Sequence, residues 1–185
     1  MIIFKRILIL AIIIIMVSCQ NSNENKNFTE SEIAVIPKPA KLALQKGAFQ
    51  FNENTKFVIA DASQKEIVAV LTHKFKNAAG WNLEVLEQAP NSNFVQFVVD
   101  KNLEDEGYTL EVNSDKITIS SKENAGFMYG IETVRQLLPV QIESSELISG
   151  TDWLLPNLTI EDKPRYKYRG LMLDVSRHFF EIDYL

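Results

Sequence analysis

The sequence of 185 residues has little cysteine and histidine and no excess of basic side chains. It contains one cysteine, two histidines, 19 lysines and arginines, and 24 aspartates and glutamates. A single cysteine cannot form a disulfide within the chain, so the fold has to rest on its apolar core. The formal net charge of -5 argues against nucleic-acid binding, which usually needs a basic patch. Two histidines with no nearby cysteine give little material for a metal site.

The sequence has one long apolar run, and this run lies at the N-terminus. Residues 7–17 are apolar without interruption and follow a short basic region. The run is too short for a membrane-spanning helix, which needs about 20 residues, but it suits a signal peptide. It ends in Met16-Val17-Ser18-Cys19, which resembles a bacterial lipoprotein cleavage site. The sequence therefore predicts a lipoprotein signal peptide over residues 1–18 and a lipidated Cys19. The alternative is an ordinary signal peptide with an incidental cysteine.

A polar stretch separates this leader from the first folded segment. Residues 19–35 are rich in Asn, Ser and Glu and have no apolar periodicity, which predicts a flexible tether. Several acyl chains on Cys19 would anchor the protein firmly in a membrane. We therefore expect a protein of the bacterial cell envelope, held by lipid at the outer membrane or facing the periplasm.

Residues 36–150 combine helix and strand patterns, which predicts an α+β domain. The first helix is predicted over Ser63–Asn77, with Ser63 and Glu66 as a capping box and Gly80 at its end. The second helix is predicted over Asn124–Leu138. The pattern predicts strands at 48–51, 56–60, 81–85 and 94–99, a hairpin over 107–120, and a loop over 141–152.

Two glycines inside the second predicted helix need a physical reason. Gly126 and Gly130 lie four residues apart. A glycine in a helix interior costs about 1 kcal/mol relative to alanine, so a benefit elsewhere should offset it. We expect these glycines to let the helix pack closely on a sheet.

Near the end of the sequence an apolar stretch gives way to polar side chains. Leu171, Met172 and Leu173 precede Asp174, Ser176, Arg177 and His178. This order is typical of a buried parallel strand that emerges into an active site at its carboxyl end. Only residues 179–185 follow the polar group in this sequence.

Three stretches together resemble the family 20 glycoside hydrolases, the β-N-acetylhexosaminidases. Tyr168–Phe180 is similar to the first barrel strand of that family, Ile36–Phe51 to the start of its accessory domain, and Asn124–Pro139 to the last helix of that domain. The resemblance implies an α+β accessory domain over 36–150, followed over 165–185 by the first strand of a (β/α)8 barrel that is truncated.

The resemblance also implies an activity. It implies release of terminal N-acetylglucosamine or N-acetylgalactosamine from glycans, with no metal and no organic cofactor. In this family the substrate's own 2-acetamido oxygen is the nucleophile of a retaining reaction. An aspartate orients the acetamido group, and the neighbouring glutamate protonates the leaving oxygen. We expect this Asp-Glu pair beyond Leu185, so the chain has no catalytic residue of its own and is expected to be inactive alone.

The resemblance assigns roles to four residues near the predicted barrel strand. Arg169 resembles the arginine that holds the 3- and 4-hydroxyls of the terminal sugar, for which a guanidinium offers several donors in fixed geometry. The alternative for Arg169 is a structural pair with a carboxylate. Asp174, Arg177 and His178 match the motif and are expected to support the site, where Asp174 and Arg177 can pair with each other. The alternative for His178 is a general base.

The remaining acidic clusters and the helix histidine are expected to be solvated. Glu161-Asp162 and Glu104-Asp105-Glu106 lie upstream of the predicted barrel strand, and His73 lies on the first predicted helix. A second hypothesis of a different class remains open at this point. It takes the chain as a complete, non-catalytic lipoprotein that binds glycans or a partner protein through the accessory domain.

Overall fold

The computed structural model describes residues 26–184. In chain order the regular elements are β1 (Lys41–Gln50), β2 (Lys56–Val58), α1 (Lys65–Ala79), β3 (Glu84–Leu86), β4 (Phe94–Val99), β5 (Tyr108–Val112), β6 (Lys116–Ser121), α2 (Asn124–Leu137) and β7 (Leu154–Asp162). The predicted signal peptide over 1–18 and the predicted lipidation of Cys19 lie outside the described residues. Between residues 26 and 184, no helix combines the length and hydropathy that crossing a membrane requires.

The seven strands found between residues 26 and 184 form one mixed sheet, in the order β1-β7-β5-β6-β4-β2-β3. The neighbours β1, β7, β5 and β6 are antiparallel, and β6, β4, β2 and β3 are parallel. The predicted hairpin is confirmed as β5 and β6. Its turn is held by the Asn113 side chain, whose Oδ1 accepts the backbone N–H groups of Asp115 and Lys116 at 2.9 Å. The α+β character expected from the sequence is therefore confirmed.

Strand β7 was not predicted, although it lies in the middle of the antiparallel half. It pairs with β1 on one side and with β5 on the other, and Leu154–Leu158 are all buried. Burial on both faces removes the apolar–polar alternation by which a strand is usually recognised. Pro156 and Asn157 also disfavour a strand, but Pro156 pairs with Ala48 where the register of β1 shifts, a place that tolerates proline. The sheet thus continues to Asp162, beyond residue 150.

Helix α1 starts later than its sequence suggested. A 3-10 turn, Ala62–Gln64, precedes α1, and the cap of this turn is Asp61, whose Oδ1 accepts the Ser63 N–H at 2.8 Å. The predicted capping box of Ser63 and Glu66 is therefore wrong. The predicted end is confirmed, because Gly80 takes the left-handed conformation with φ of 75° and donates its N–H to the Lys76 carbonyl.

The core lies between the sheet and the two helices. Aromatic rings fill its centre: the Phe75 ring of α1 lies 4.8 Å from the Phe51 ring and 5.6 Å from the rings of both Trp81 and Trp153. Closer to α2, the Phe127 ring stacks on Phe97 of β4 at 4.8 Å. These rings hold both helices against the same face of the sheet.

The two glycines of α2 lie directly against strand atoms. A Cβ on Gly126 would lie less than 3.0 Å from Ser121 Oγ and from the Gly107 carbonyl oxygen, and a Cβ on Gly130 would be as close to Ile119. Real side chains do not approach so closely, so the expectation of close helix–sheet packing is confirmed.

The predicted first barrel strand is not formed. Within the described chain, residues 163–181 contain no strand, and the side chains of Leu171 and Met172 are 95% and 90% exposed. A parallel strand takes its backbone hydrogen bonds from neighbouring strands. None of the described strands pairs with residues 171–173, so the apolar stretch stays unpaired.

Candidate functional site

A large cavity whose lining includes Arg169 lies against α2. We call it the Arg169 cleft; it has a volume of about 860 Å³ and lies between residues 35–40, one face of α2, and residues 162–169. Its α2 wall is formed by Tyr129, Glu132, Thr133 and Gln136, which follow helical spacing on one face. The opposite wall comes from the segment that leaves β7.

Arg169 lies at this cleft and makes three polar contacts there. Its Nη2 donates to Glu106 Oε2 and, at 2.9 Å, to the Tyr129 hydroxyl, and its Nη1 donates to the Tyr166 carbonyl at 2.6 Å. The guanidinium carbon is also 5.9 Å from the centre of the Tyr129 ring, within the range of a cation–π contact. The structure thus shows the carboxylate pairing that the sequence left open for Arg169, and the sugar-binding role stays a prediction.

The floor of the cleft includes a buried hydroxyl pair. Tyr108 Oη and Thr133 Oγ1 are 2.6 Å apart, and both side chains are buried. Burial raises the pKa of Tyr108 to about 12. The phenol therefore stays protonated at neutral pH and is a hydrogen-bonding group of the wall, with no basic form available for proton abstraction.

Each member of the cluster Glu104-Asp105-Glu106 has a cationic partner. Glu104 pairs with Lys163, Asp105 with Lys122 at 2.5 Å, and Glu106 with Arg169. Hydrogen bonding to Lys122 lowers the pKa of Asp105. Glu104 and Asp105 are exposed and Glu106 is half-buried, so the prediction of solvated loop charges is confirmed for the first two, and the structure adds a cationic partner for each side chain. Sequence could not show the partners because Lys163 and Arg169 lie about sixty residues further along the chain.

The second acidic cluster is paired as well, and the helix histidine is solvated. Glu161 Oε2 is 2.8 Å from Lys41 Nζ across the β1–β7 ladder, and Asp162 Oδ1 accepts the Ala40 N–H at 3.1 Å. These contacts secure the strand edge. His73 is exposed on α1, as the sequence predicts.

The residues expected to support the site do not meet at the Arg169 cleft. Asp174 Oδ1 accepts the Ser176 N–H at 2.9 Å, and His178 Nδ1 lies 3.1 Å from the Arg177 carbonyl oxygen. The expected pair of Asp174 with Arg177 is not formed, because the Asp174 carboxylate closes a local turn with Ser176. The hydrogen bond from Ser176 lowers the pKa of Asp174.

Sequence reasoning missed two of the residues that contact Arg169. Glu106 and Tyr129 hold Arg169, yet neither was a candidate. For Tyr129 a signal existed, since it begins a polar row with Glu132 and Gln136 at helical spacing beside the apolar stripe of α2. Chemically, this arrangement can bind polar groups through an arginine, two tyrosines and a glutamate. Across residues 26–184, no group of three His, Cys, Asp or Glu side chains is placed to hold a metal ion.

Comparisons with a family model and with individual proteins identify the same family. The model described as "Glycosyl hydrolase family 20, domain 2" matches residues 32–163. A β-hexosaminidase of Porphyromonas gingivalis is 32% identical over 154 residues, covering 82% of this chain and 20% of that protein. A β-N-acetylhexosaminidase of Cellulomonas fimi is 33% identical over 157 residues, covering 82% of this chain and 30% of that protein.

Solved structures show the same similarity. The family 20 β-N-acetylhexosaminidase of Streptomyces coelicolor matches with a TM-score of 0.73 and 32% identity, over 82% of this chain and 31% of that one. A β-hexosaminidase of Streptomyces plicatus, in complex with the product N-acetylglucosamine, matches with a TM-score of 0.73 and 31% identity, over 88% of this chain and 32% of that one. The chain therefore spans between a fifth and a third of the length of these relatives.

Proposed function

We propose, because this chain belongs to glycosyl hydrolase family 20, that it is part of a β-N-acetylhexosaminidase that releases terminal N-acetylglucosamine or N-acetylgalactosamine from glycans. The observation that carries the proposal is the match of residues 32–163 to domain 2 of the family. Similarity at 31% identity to a structure that binds N-acetylglucosamine supports the choice of sugar. The order of the segments also supports it, since the motif from Tyr168 to Phe180 follows the accessory domain directly.

The proposed reaction is substrate-assisted retaining hydrolysis. The acetamido oxygen of the sugar would attack the anomeric carbon, while a glutamate protonates the leaving oxygen and an aspartate orients the acetamido group. The carboxylates in or next to the Arg169 cleft are engaged with lysines, with Arg135 or Arg169, or with backbone N–H groups, and they suit a structural role. We therefore propose that the catalytic Asp-Glu pair belongs to a part of the enzyme outside these 185 residues.

The proposed roles of the matching residues follow from the motif. Arg169 would bind the 3- and 4-hydroxyls of the terminal sugar, and Asp174, Arg177 and His178 would support the site around it. The proposed location is the bacterial cell envelope, through a lipid on Cys19. Labelling cells with a radioactive or clickable fatty acid, with Cys19→Ser as the control, would test the anchor.

The chain of 185 residues alone is expected to give no turnover. The reason is the proposed absence of the acid and of the acetamido-orienting aspartate from this polypeptide. The measurement is release of nitrophenol from 4-nitrophenyl N-acetyl-β-glucosaminide by the purified chain, after circular dichroism has shown that the domain is folded.

Two results would contradict this proposal. Turnover above the uncatalysed rate by the purified chain, retained after passage over a second column, would place the catalytic groups within these residues. Retention of the folded chain on chitin, combined with no hydrolysis by the natural gene product, would instead support the non-catalytic glycan-binding lipoprotein.

A further inference from the structure

The loop between β4 and β5 holds the segment that follows β7. We call Glu104, Asp105 and Glu106 the acidic loop, and residues 163–169 the exit segment. Two of the three acidic side chains bind the exit segment, Glu104 at Lys163 and Glu106 at Arg169. These two ion pairs lie on either side of Pro164, whose ring fixes one backbone angle of the segment. The third, Asp105, binds Lys122, which lies between β6 and α2.

Arg169 is the most extensively held residue of the exit segment. Glu106 Oε2 and the Tyr129 hydroxyl both accept from its Nη2, and the Tyr129 hydroxyl lies 3.5 Å from the same Glu106 oxygen. The Tyr129 ring lies beside the guanidinium as well. One carboxylate, one phenol and one aromatic face, all from the accessory domain, therefore meet at a single cation.

The backbone of the acidic loop provides a second observation. Glu106 has a φ of 62°, in the left-handed region that residues other than glycine seldom occupy. Its neighbour Gly107 donates its N–H to the Glu104 carbonyl at 3.0 Å, which closes the turn around it. Conformations of this kind persist where the surrounding structure enforces them and are frequent at functional positions.

We propose that Glu106 and Tyr129 are positioning residues, which hold Arg169 and the exit segment in one place on the accessory domain. Glu104 secures the same segment at Lys163. The proposal rests on the proposed function only in giving Arg169 a sugar to bind; the docking of the segment stands independently of it. Through these contacts, domain 2 would fix the position of the exit segment. It would thereby set the point at which the chain enters the proposed catalytic domain.

Trypsin digestion of the 185-residue chain tests the docking directly. The bonds after Arg165, Lys167 and Arg169 are exposed to the protease, whereas the bond after Lys163 is blocked by Pro164. Exposed ion pairs contribute little singly, so Glu106→Gln is expected to raise the initial cleavage rate at these bonds by about threefold to fivefold. Mass spectrometry of the early fragments identifies each cleaved bond.

The acidic loop contains its own control. Asp105→Asn removes the same charge from the same loop, but its hydrogen-bonded partner Lys122 does not belong to the exit segment. Asp105 acts on that segment only through a weaker electrostatic attraction to Lys167, so the cleavage rate is expected to rise less than about 1.5-fold. Tyr129→Phe keeps the ring and removes the hydroxyl, and about a twofold increase is expected. High salt should raise the cleavage rate of the unmodified chain more than that of Glu106→Gln, because the variant keeps only the Glu104–Lys163 pair for salt to screen.

The outcomes separate docking from the proposed activity. An unchanged rate in Glu106→Gln, or an equal increase in Asp105→Asn, overturns the docking of the segment. If Glu106→Gln lowers the melting temperature, faster cleavage of this variant can result from unfolding, so the cleavage rate of Tyr129→Phe decides instead. An unchanged cleavage rate in Tyr129→Phe then overturns the proposal.

The natural gene product then tests positioning. Glu106→Gln should raise KM for the nitrophenyl substrate by about threefold with kcat nearly unchanged. An unchanged KM beside faster proteolysis overturns the positioning role of Glu106. If the unmodified gene product shows no hydrolysis, the proposed function fails while the proteolysis result still decides the docking.

Discussion

Replacement of Gly126 by alanine is expected to lower the free energy of unfolding by about 3 kcal/mol. The added Cβ would lie less than 3.0 Å from Ser121 Oγ and from the Gly107 carbonyl oxygen. These two atoms are themselves joined, since Ser121 Oγ donates to the Gly107 carbonyl at 2.8 Å in a buried position. The methyl group therefore has to push α2 away from β6 or break that hydrogen bond.

The direction in which Gly126→Ala changes the free energy of unfolding distinguishes a packing effect from an effect of helix propensity. In an exposed helix, glycine to alanine would stabilise by about 1 kcal/mol. Urea denaturation followed by circular dichroism measures the change, and Gly170→Ala is a suitable control because its Cβ would meet only its near neighbour Tyr168, at 3.4 Å or more. The control is expected to stay within about 0.5 kcal/mol. A loss below about 1 kcal/mol in Gly126→Ala would show that α2 does not need close contact with the sheet.

Phe75→Ala is expected to lower the free energy of unfolding by about 3 to 5 kcal/mol. The Phe75 side chain is fully buried and contacts the rings of Phe51, Trp81 and Trp153. Its removal leaves a cavity where α1, the end of β1 and the start of β7 meet. The rings of Phe51, Trp81 and Trp153 also lose their ring–ring interactions with Phe75, which stabilise the fold in addition to the burial of apolar area.

Tryptophan fluorescence reports this change without a label. The chain has two tryptophans, and both rings lie 5.6 Å from the Phe75 ring. A red-shifted emission in the folded state and an earlier urea midpoint are expected for Phe75→Ala. His73→Ala, on the exposed side of the same helix, should change neither. Equal midpoints for the two variants would contradict the central place of Phe75 in the core.

The sequence predicted those elements whose pattern is local. Helix α2 shows an apolar stripe over more than three turns, and the β5–β6 hairpin shows alternation on either side of a short turn. Strand β7 escaped prediction because it is buried on both faces and contains Pro156 and Asn157. Its strand character comes from β1 and β5, which lie far away in the sequence and pair with it only in the folded sheet.

The sequence pointed to Arg169 as a candidate residue, but it did not predict the residues that surround Arg169 in the structure. Arg169 could be identified from the motif around it. Glu106 and Tyr129 precede it by 63 and 40 residues, and no local pattern links a loop carboxylate to a distant arginine. The same limit explains why the sequence predicted solvated charges in the acidic loop but not their partners Lys122, Lys163 and Arg169.

Hydrolysis by the natural gene product tests the central claim most directly. Antibodies against the folded domain, residues 26–184, would capture this product from its own cells, whatever its length. The account predicts rapid release of nitrophenol from the N-acetyl-β-glucosaminide. The matching β-glucoside should react at least about a hundredfold more slowly, because it lacks the acetamido nucleophile and its intramolecular advantage. Equal rates on the two substrates, or no hydrolysis of either, would contradict the assignment of this chain to a substrate-assisted hexosaminidase.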